Sequence, residues 1–317
     1  MTSMPMTACL LLLLLLTALP GSSADDDSSW YPSRHGAEDT LGAINYLSPA
    51  KVLQAARLIK TGQTYALGVE TGPDSPAYGP RSYALTVLQL DDGVGAPLAA
   101  NQLTSNDDLL QTWMGIGSQI DGLGHLGINH RYYNGKHASE FVTVTGLTSF
   151  GIESLPPIVT RGVLINMASH LGQEILEAGT VFGSAEIKAA AAAQNISIEQ
   201  GDVVLFHTGW LAVAETDPAR FMAGEPGLNR EGARYLAELG VVAVGADTWG
   251  LDALPGEHAD EMFPAHQELL ARHGVYILEN MDTRALAADG ATEFLFVLGQ
   301  PRFVGAVQAI INPVAIR

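Results

Sequence analysis

Apolar positions in this chain recur with two periods, and the switch between them outlines the fold. After Ser48-Pro49, the residues Val52, Leu53, Ala56 and Ile59 return at helical spacing up to Gly62. Serine as N-cap and proline in the first turn fit that reading. The same spacing predicts helices over 184–194, 230–239 and 264–273, the last two stopping against Gly240 and Gly274. Shorter runs rich in β-branched and aromatic residues, bounded by Gly, Pro or Asp, predict strands over 63–69, 82–90, 141–145, 163–167, 202–207, 241–247, 275–279, 293–298 and 306–311. Strands and helices alternate only in the second half. The first half is mainly strands and loops. The pattern predicts an α/β fold, a mixed sheet with flanking helices. No linker, low-complexity tract or repeat interrupts the chain after about residue 30, so residues 25–317 are read as a single domain.

The N-terminus breaks this pattern. Leu10 to Leu16 is an unbroken leucine run, and Ser22-Ser23-Ala24 follows with the small residues that signal peptidase needs. The run is too short to span a bilayer comfortably, and no Lys or Arg precedes it. Residues 1–24 are read as a signal peptide, which makes the mature protein periplasmic or secreted and free of a membrane anchor after cleavage. The one cysteine, Cys9, lies in this segment. A mature chain without cysteine has no disulfide, no thiolate zinc site and no cysteine nucleophile.

Charge narrows the partners. The 16 Lys and Arg stand against 34 Asp and Glu, a net charge of −18 with no basic stripe. Nucleic acid is repelled by such a surface, so the partner is a small-molecule substrate. A glycine-rich nucleotide loop between strand and helix is absent, as is the Gly-x-Ser-x-Gly elbow of serine hydrolases.

The densest polar cluster is Gly115-Ile116-Gly117-Ser118-Gln119-Ile120-Asp121-Gly122-Leu123-Gly124-His125. Its glycines argue against a helix. In an extended segment Gln119 and Asp121 share one face and Ile120 takes the other. The turn beyond lets His125 fold back towards Asp121. An amide oxygen, a carboxylate and an imidazole then converge, a mixture that suits a divalent cation. A glycine-rich turn whose polar groups serve the backbone is the plain alternative. A second constellation joins His266, on the side of its helix shared by Leu269 and Leu270, to Glu279 at the end of an apolar strand. A buried carboxylate there requires a partner or a cation, and a nearby histidine fits as co-ligand. A core histidine, with Glu279 paired to an arginine, is the alternative.

These motifs resemble the cyclase / bacterial kynurenine formamidase family. Its signature is His-x-Gly-Thr-His-x-Asp-x-Pro-x-His, followed later by a His about a dozen residues before a Glu-Asn-Leu-like segment. The matching stretches here are Gly115 to His125, His266 and Glu279-Asn280-Met281. Trp30-Tyr31-Pro32-Ser33, Leu41-Gly42-Ala43-Ile44-Asn45, Arg161-Gly162-Val163-Leu164, Thr208-Gly209-Trp210 and Gly245-Ala246-Asp247-Thr248 also look like the family. The resemblance runs from about Trp30 to the C-terminus. It implies the kynurenine formamidase-like (swivelling β/β/α) fold and a homo-oligomer.

The departures are specific. The family's first two histidines fall on Gly115 and Gln119, its Thr on Ser118 and its Pro on Leu123. The half of the metal site made from Asp121, His266 and Glu279 is intact. The sequence is closer to the divergent branch that includes trans-dienelactone hydrolase. The resemblance implies one metal on Asp121, His266 and Glu279, with Gln119 as a weak ligand, Zn²⁺ favoured over Mn²⁺, and His125 as the general acid/base. The implied function is a metal-dependent hydrolase whose metal-activated water opens an amide or lactone bond of a small cyclic or N-acyl substrate. The rivals are a lactonase of the dienelactone hydrolase type and a non-catalytic periplasmic small-molecule binding protein. Tyr132, Tyr133, Trp113, His207 and Trp249 are candidates for the substrate pocket. For each of them, core packing or an ordinary loop position is the competing reading. Asp247 is read as a carboxylate behind the ligands or as a turn cap.

Overall fold

The computed structural model describes residues 30–89 and 95–317, so the leucine run and the proposed cleavage site at 22–24 lie outside the described residues. A nine-stranded mixed sheet organises the chain. From one edge it runs Thr64–Ala66, Val314–Ile316, Glu293–Leu298, Ile158–Asn166, Val203–His207, Ala243–Ala246, Tyr276–Glu279, Gln119–Asp121 and Gln308–Ile310. The four strands from Ile158–Asn166 to Tyr276–Glu279 are parallel, and every pairing outside them is antiparallel. The parallel strands are largely apolar because both of their faces are covered, with Thr160 and Arg161 the polar interruption in Ile158–Asn166. This is the mixed α/β sheet with flanking helices that the period switch predicts.

The flanking helices follow their caps. Ser48 Oγ accepts the Lys51 N–H at the start of Pro49–Ala56. That helix stops at Ala56, short of the Gly62 that the spacing predicts. Ala55 is its one buried residue and Leu53 is 65% exposed, so the apolar positions beyond it have nothing to pack on. Arg230–Leu239 has the predicted bounds. Asn229 caps its start, and Gly240 at φ 80° ends it in the left-handed conformation that glycine adopts without strain. The predicted 264–273 helix forms as a short α-turn, Pro264–His266, running into a π-helical segment, Gln267–His273. A wide π turn of this kind is frequent at functional sites.

Two predicted elements differ in kind. The run at 82–90 is a strand, Tyr83–Gln89, but it pairs only with Asn106–Thr112 in a hairpin separate from the main sheet. Almost all of its residues are exposed, on both faces. The run at 141–145 shrinks to Val142–Thr143, because Val144 and Thr145 form the turn of a tight hairpin that pairs it with Gly146–Leu147. No helix among the described residues is long and apolar enough to cross a membrane.

Candidate metal centre

The parallel strands end together at one edge of the sheet, and the cluster is built where Tyr276–Glu279 meets its antiparallel neighbour. Register puts Gln119 opposite Glu279, and Asp121 opposite Ile277 on one side and Gln308 on the other. Ile120 is wholly buried in the core, so Gln119 and Asp121 share the opposite face, as period two requires. The segment is clamped on both sides. Ser118 Oγ accepts from the Val69 N–H at 2.8 Å and donates to the Asn280 carbonyl at 2.5 Å. Asn280 turns the chain after Glu279 with φ 53°, and its amide donates to the Gly117 carbonyl.

His266 arrives from the other direction, at the start of its helix. Phe263 before it has φ 50°, and Leu251, one residue before Asp252, has φ 58°. Left-handed backbone at three non-glycine residues around one cluster is the kind of local strain that accumulates at functional sites. Asp252 does two jobs. Its carboxylate accepts the Ala265 and His266 backbone N–H groups, and its Oδ2 lies 2.6 Å from His266 Nδ1. That contact fixes Nδ1–H towards Asp252 and leaves Nε2 facing the cluster, the arrangement that orients metal-bound histidines.

The result is a tight group. His266 Nε2 is 3.1 Å from Glu279 Oε1 and 3.5 Å from Asp121 Oδ2. Ligand atoms of Asp121, His266 and Glu279 all lie within 4.8 Å of one another, and all three residues are buried. Gln119 Nε2 donates to Glu279 Oε2, and Gln308 Nε2 to Asp121 Oδ1 at 2.6 Å. Two acceptors remain. Asp121 Oδ2 and Gln119 Oε1 are buried without a hydrogen-bond partner. Orphaned buried acceptors are costly, and a cation held by Asp121, His266 and Glu279 satisfies Asp121 Oδ2. The donor set, two carboxylates and one imidazole, fits a divalent metal of the zinc or manganese kind.

The charges are mismatched in the way that fit requires. Burial raises Glu279, and the neighbouring Asp121 charge raises it further, to about 7. Burial also works to raise Asp121, but His125, His266 and the Gln308 donor outweigh it and hold its carboxyl below the ordinary range. Of the two acids, the one with more donors keeps the charge. His266 is penalised by burial, yet its contacts with Asp121, Asp252 and Glu279 push it well above the ordinary imidazole value. Behind them Glu225 is buried, with its carboxyl pushed well up by burial and by Glu279. Its Oε2 accepts the Trp249 and Gly250 N–H groups.

His125 borders the cluster without joining it. Its Nε2 is 4.0 Å from Asp121 Oδ2, and its ring centroid is 6.3 Å from that of His266. Burial lowers its pKa, so it is a neutral base at neutral pH. The turn after Asp121 does carry it back to Asp121 as the glycine spacing predicts.

The pocket candidates divide. Trp249 stacks on Tyr78 at 5.6 Å and meets Phe263 edge-on at 6.3 Å, and Phe263 in turn packs on the His266 ring at 5.3 Å. Tyr133 belongs to the core instead. It is 2% exposed, and its hydroxyl is spent on Asp39 and Ser33. Tyr132 packs edge-on against Phe141, on the same side as Tyr133. Trp113 is half-exposed at the base of the separate hairpin. His207 lies two strands away, hydrogen-bonded to Thr283 and 3.3 Å from Asp247, and lines a different cleft. Asp247 caps the turn, accepting from Thr208 and Gly209 N–H groups, and the carboxylate behind His266 is Asp252. Sequence reasoning missed Asp252, Gln308, Glu225 and Arg81. Each comes from a segment distant in the chain, and none carries a local motif.

Comparison with known proteins bears on the family and the fold. A family model described as "Putative cyclase" matches residues 51–253. A solved structure described as a novel cyclase superposes with TM-score 0.81 at 27% identity, covering 90% of this chain and 98% of that one. Isatin hydrolase A from Labrenzia aggregata gives TM-score 0.59 at 17% identity over 80% of this chain and 93% of that one. A structure described as a "predicted metal-dependent hydrolase" from Bacillus stearothermophilus gives 0.53 at 18% identity, over 81% of this chain and 98% of that one. A comparison with curated protein sequences gives no match.

Proposed function

The chain belongs to the cyclase family, and from that premise we propose that it is a metal-dependent hydrolase that opens an amide or lactone bond of a small substrate with water. One observation carries the reading. Asp121 Oδ2, buried and unpartnered, stands with His266 and Glu279 in a group whose ligand atoms all lie within 4.8 Å of one another. Two fold neighbours, an isatin hydrolase and a structure described as a "predicted metal-dependent hydrolase", support the reaction class.

Asp121, His266 and Glu279 would hold the metal, with Gln119 as a weaker fourth donor. A divalent ion there supplies Lewis acidity towards a carbonyl and lowers the pKa of water in its reach. The remaining steps fall to the chain's own groups. Neutral His125, beside Asp121, takes the proton of the attacking water and returns it to the leaving nitrogen or oxygen. Asp252 keeps His266 in the tautomer that presents Nε2. Phe263 and Trp249 form an apolar wall that excludes bulk water from one side of the cluster.

The test pairs metal content with turnover. Purified protein should carry about one equivalent of zinc or manganese, and a panel of cyclic amides and lactones should yield a hydrolysed member. A metal-free protein at neutral pH that refuses both ions would refute the reading. The leucine run supports export, with a mature chain starting near Asp25. Mass spectrometry of protein from the native host checks this, and an intact Met1 would overturn it.

A further inference from the structure

One charged group beside the cluster has no task in that mechanism. Arg81 is half-buried, and its Nη1 donates to the Gly115 carbonyl at 2.5 Å. The contact depends on glycine, because a Cβ at position 115 would overlap the Arg81 guanidinium. Its other side faces aromatic rings. The guanidinium carbon lies 6.0 Å from the Tyr78 ring centroid, and Tyr78 stacks on Trp249. Through Phe263 this wall continues to His266, so an unbroken run of rings joins Arg81 to a metal ligand. The segment from Gly115 to Asp121 connects the two from the other side.

Arg81 also lacks the acidic partner that half of the arginines of the chain have, a lack it shares with Arg34, Arg57, Arg131, Arg302 and Arg317 among the described residues. Arg161, Arg220, Arg230, Arg234, Arg272 and Arg284 each have a carboxylate within 4.0 Å. Among the described residues no carboxylate comes that close to Arg81, in a chain with 34 acids for 16 bases. Its charge nonetheless reaches the cluster. Burial, Asp121 and His266 set the pKa of His125 and of Glu279, and the Arg81 charge adds a smaller downward pull on both. A guanidinium carries five N–H donors in a planar fork that matches a carboxylate, and it tolerates an aromatic neighbour because it is weakly hydrated.

We propose that Arg81 recognises a carboxylate on the substrate, so that the preferred substrates are small acids with the scissile amide or lactone carbonyl a few ångströms from an anionic group. The proposal rests on the hydrolase reading above. It resolves an electrostatic difficulty: an acidic protein repels an anionic substrate, and a cluster of carboxylates does so more strongly. A fixed cation at the pocket wall offsets that repulsion locally and sets the orientation of the bound acid through paired hydrogen bonds.

Binding of inert probes tests this without turnover. Zinc-loaded protein is titrated calorimetrically with benzoate and with phthalate, isophthalate and terephthalate. One carboxylate of each probe can engage the metal, and only the dicarboxylates have a second for Arg81. At least one dicarboxylate should bind about 10- to 100-fold more tightly than benzoate, the range for a charge-assisted pair. Arg81→Met should keep its zinc by elemental analysis and lose that advantage, and Arg81→Lys should recover part of it. Equal binding of benzoate and all three dicarboxylates, or an advantage that survives in Arg81→Met, overturns the proposal. If Arg81→Met loses zinc, Arg81→Lys decides, and an undiminished advantage there with the fork removed counts against the proposal. The hydrolase reading fails separately: at the elemental analysis, or if dicarboxylates are preferred yet no amide or lactone is hydrolysed.

Discussion

Two buried charge clusters sit at the two ends of the parallel strands, one at the edge where those strands begin and one at the edge where they finish, and they are built on opposite principles. At the edge where the parallel strands begin, Arg161 is gripped on every side. Its Nε and Nη2 reach the two Asp202 oxygens at 3.0 and 2.6 Å, Nη1 meets Glu293 at 2.8 Å, and Nη2 also donates to the Ser197 carbonyl. Asp202 in turn accepts the Glu199 N–H. Donors and acceptors balance. At the other edge Asp121, Glu279 and Asp252 crowd one imidazole, and no lysine or arginine among the described residues pairs with any of them. Two acceptors there are left over. A cluster that balances itself is a structural tie. One that folding leaves unbalanced is completed by something from outside. The distinction rests on accounting for each donor and acceptor, since burial and charge alone do not separate the two cases.

The comparison is tested hardest where the unbalanced edge does chemistry. His125→Ala should keep its metal, because three ligands remain, while turnover falls by about 10²–10⁴-fold. Elemental analysis beside steady-state rates on a substrate found in the screen reads both. Loss of metal in this variant would make His125 a ligand and merge it with the cluster. The balanced edge should respond in the other currency. Asp202→Ala removes two hydrogen bonds from the guanidinium, leaving Glu293 and the Ser197 carbonyl, and should lower stability by about 2 kcal/mol, with metal content unchanged. Urea denaturation of the two proteins measures it. A drop in metal content would mean that the two clusters are linked through the sheet.

The contrast sharpens with substitutions that remove charge from the crowded edge. Glu279→Gln should lose most of its bound metal, since an amide is a poorer donor to a divalent cation. Without metal, the variant should be as stable as the parent or more so at pH 8, because it relieves the repulsion from Asp121. No such gain is open to the Arg161 cluster. Asp252→Asn should weaken metal binding by about 10- to 100-fold through misorientation of His266, without removing a ligand. Competition with a chromogenic chelator gives both affinities. Unchanged affinity in Asp252→Asn would sink its orienting role.

How much of this was legible in the sequence follows from what each feature depends on. The Arg230–Leu239 helix and the Glu293–Leu298 strand were readable to the residue, because caps and local periodicity decide them. The Asn106–Thr112 strand was not. Its composition is polar, and it is a strand only because Tyr83–Gln89 lies beside it. The cluster was readable as far as its own motif and its family resemblance went: Gln119, Asp121, His125, His266 and Glu279 do come together. Tyr133 went the wrong way, since a tyrosine in a loop beside the motif says nothing of the Asp39 waiting for its hydroxyl. Asp252 and Arg81 were invisible for the converse reason. Each is an ordinary charged residue in a loop until the fold places it against His266 or Gly115.

The smallest expected effect is a pH dependence, and its sign separates the two edges. A carboxyl whose pKa is higher in the folded protein than in the unfolded chain binds its proton more tightly when folded. Glu279, raised to about 7, therefore supports the metal-free fold at low pH and withdraws that support as pH climbs from its ordinary value near 4.5 through 7. His266 acts in the same sense. Its raised pKa means that the imidazolium among carboxylates stabilises the fold below its ordinary value of 6.5, a contribution lost on deprotonation at higher pH. Asp121, held low, works oppositely, but only on the acid side of its ordinary value of 3.8, and His125, lowered by burial, offsets part of the loss below its ordinary value of 6.5. Between pH 5 and 8 the metal-free protein should lose stability, on the order of 1 kcal/mol after allowing for the coupling of Glu279 to Asp121. Metal competes with those same protons, so the stabilisation that saturating zinc provides should grow over the interval, with protons released on binding. Thermal unfolding with and without zinc at each pH gives the difference. In Glu279→Gln the slope of the metal-free protein should flatten, while in Asp202→Ala it should stay. A metal-free protein whose stability rises from pH 5 to 8 would show that the crowded edge holds no surplus charge, and the comparison between the two clusters would fall with it.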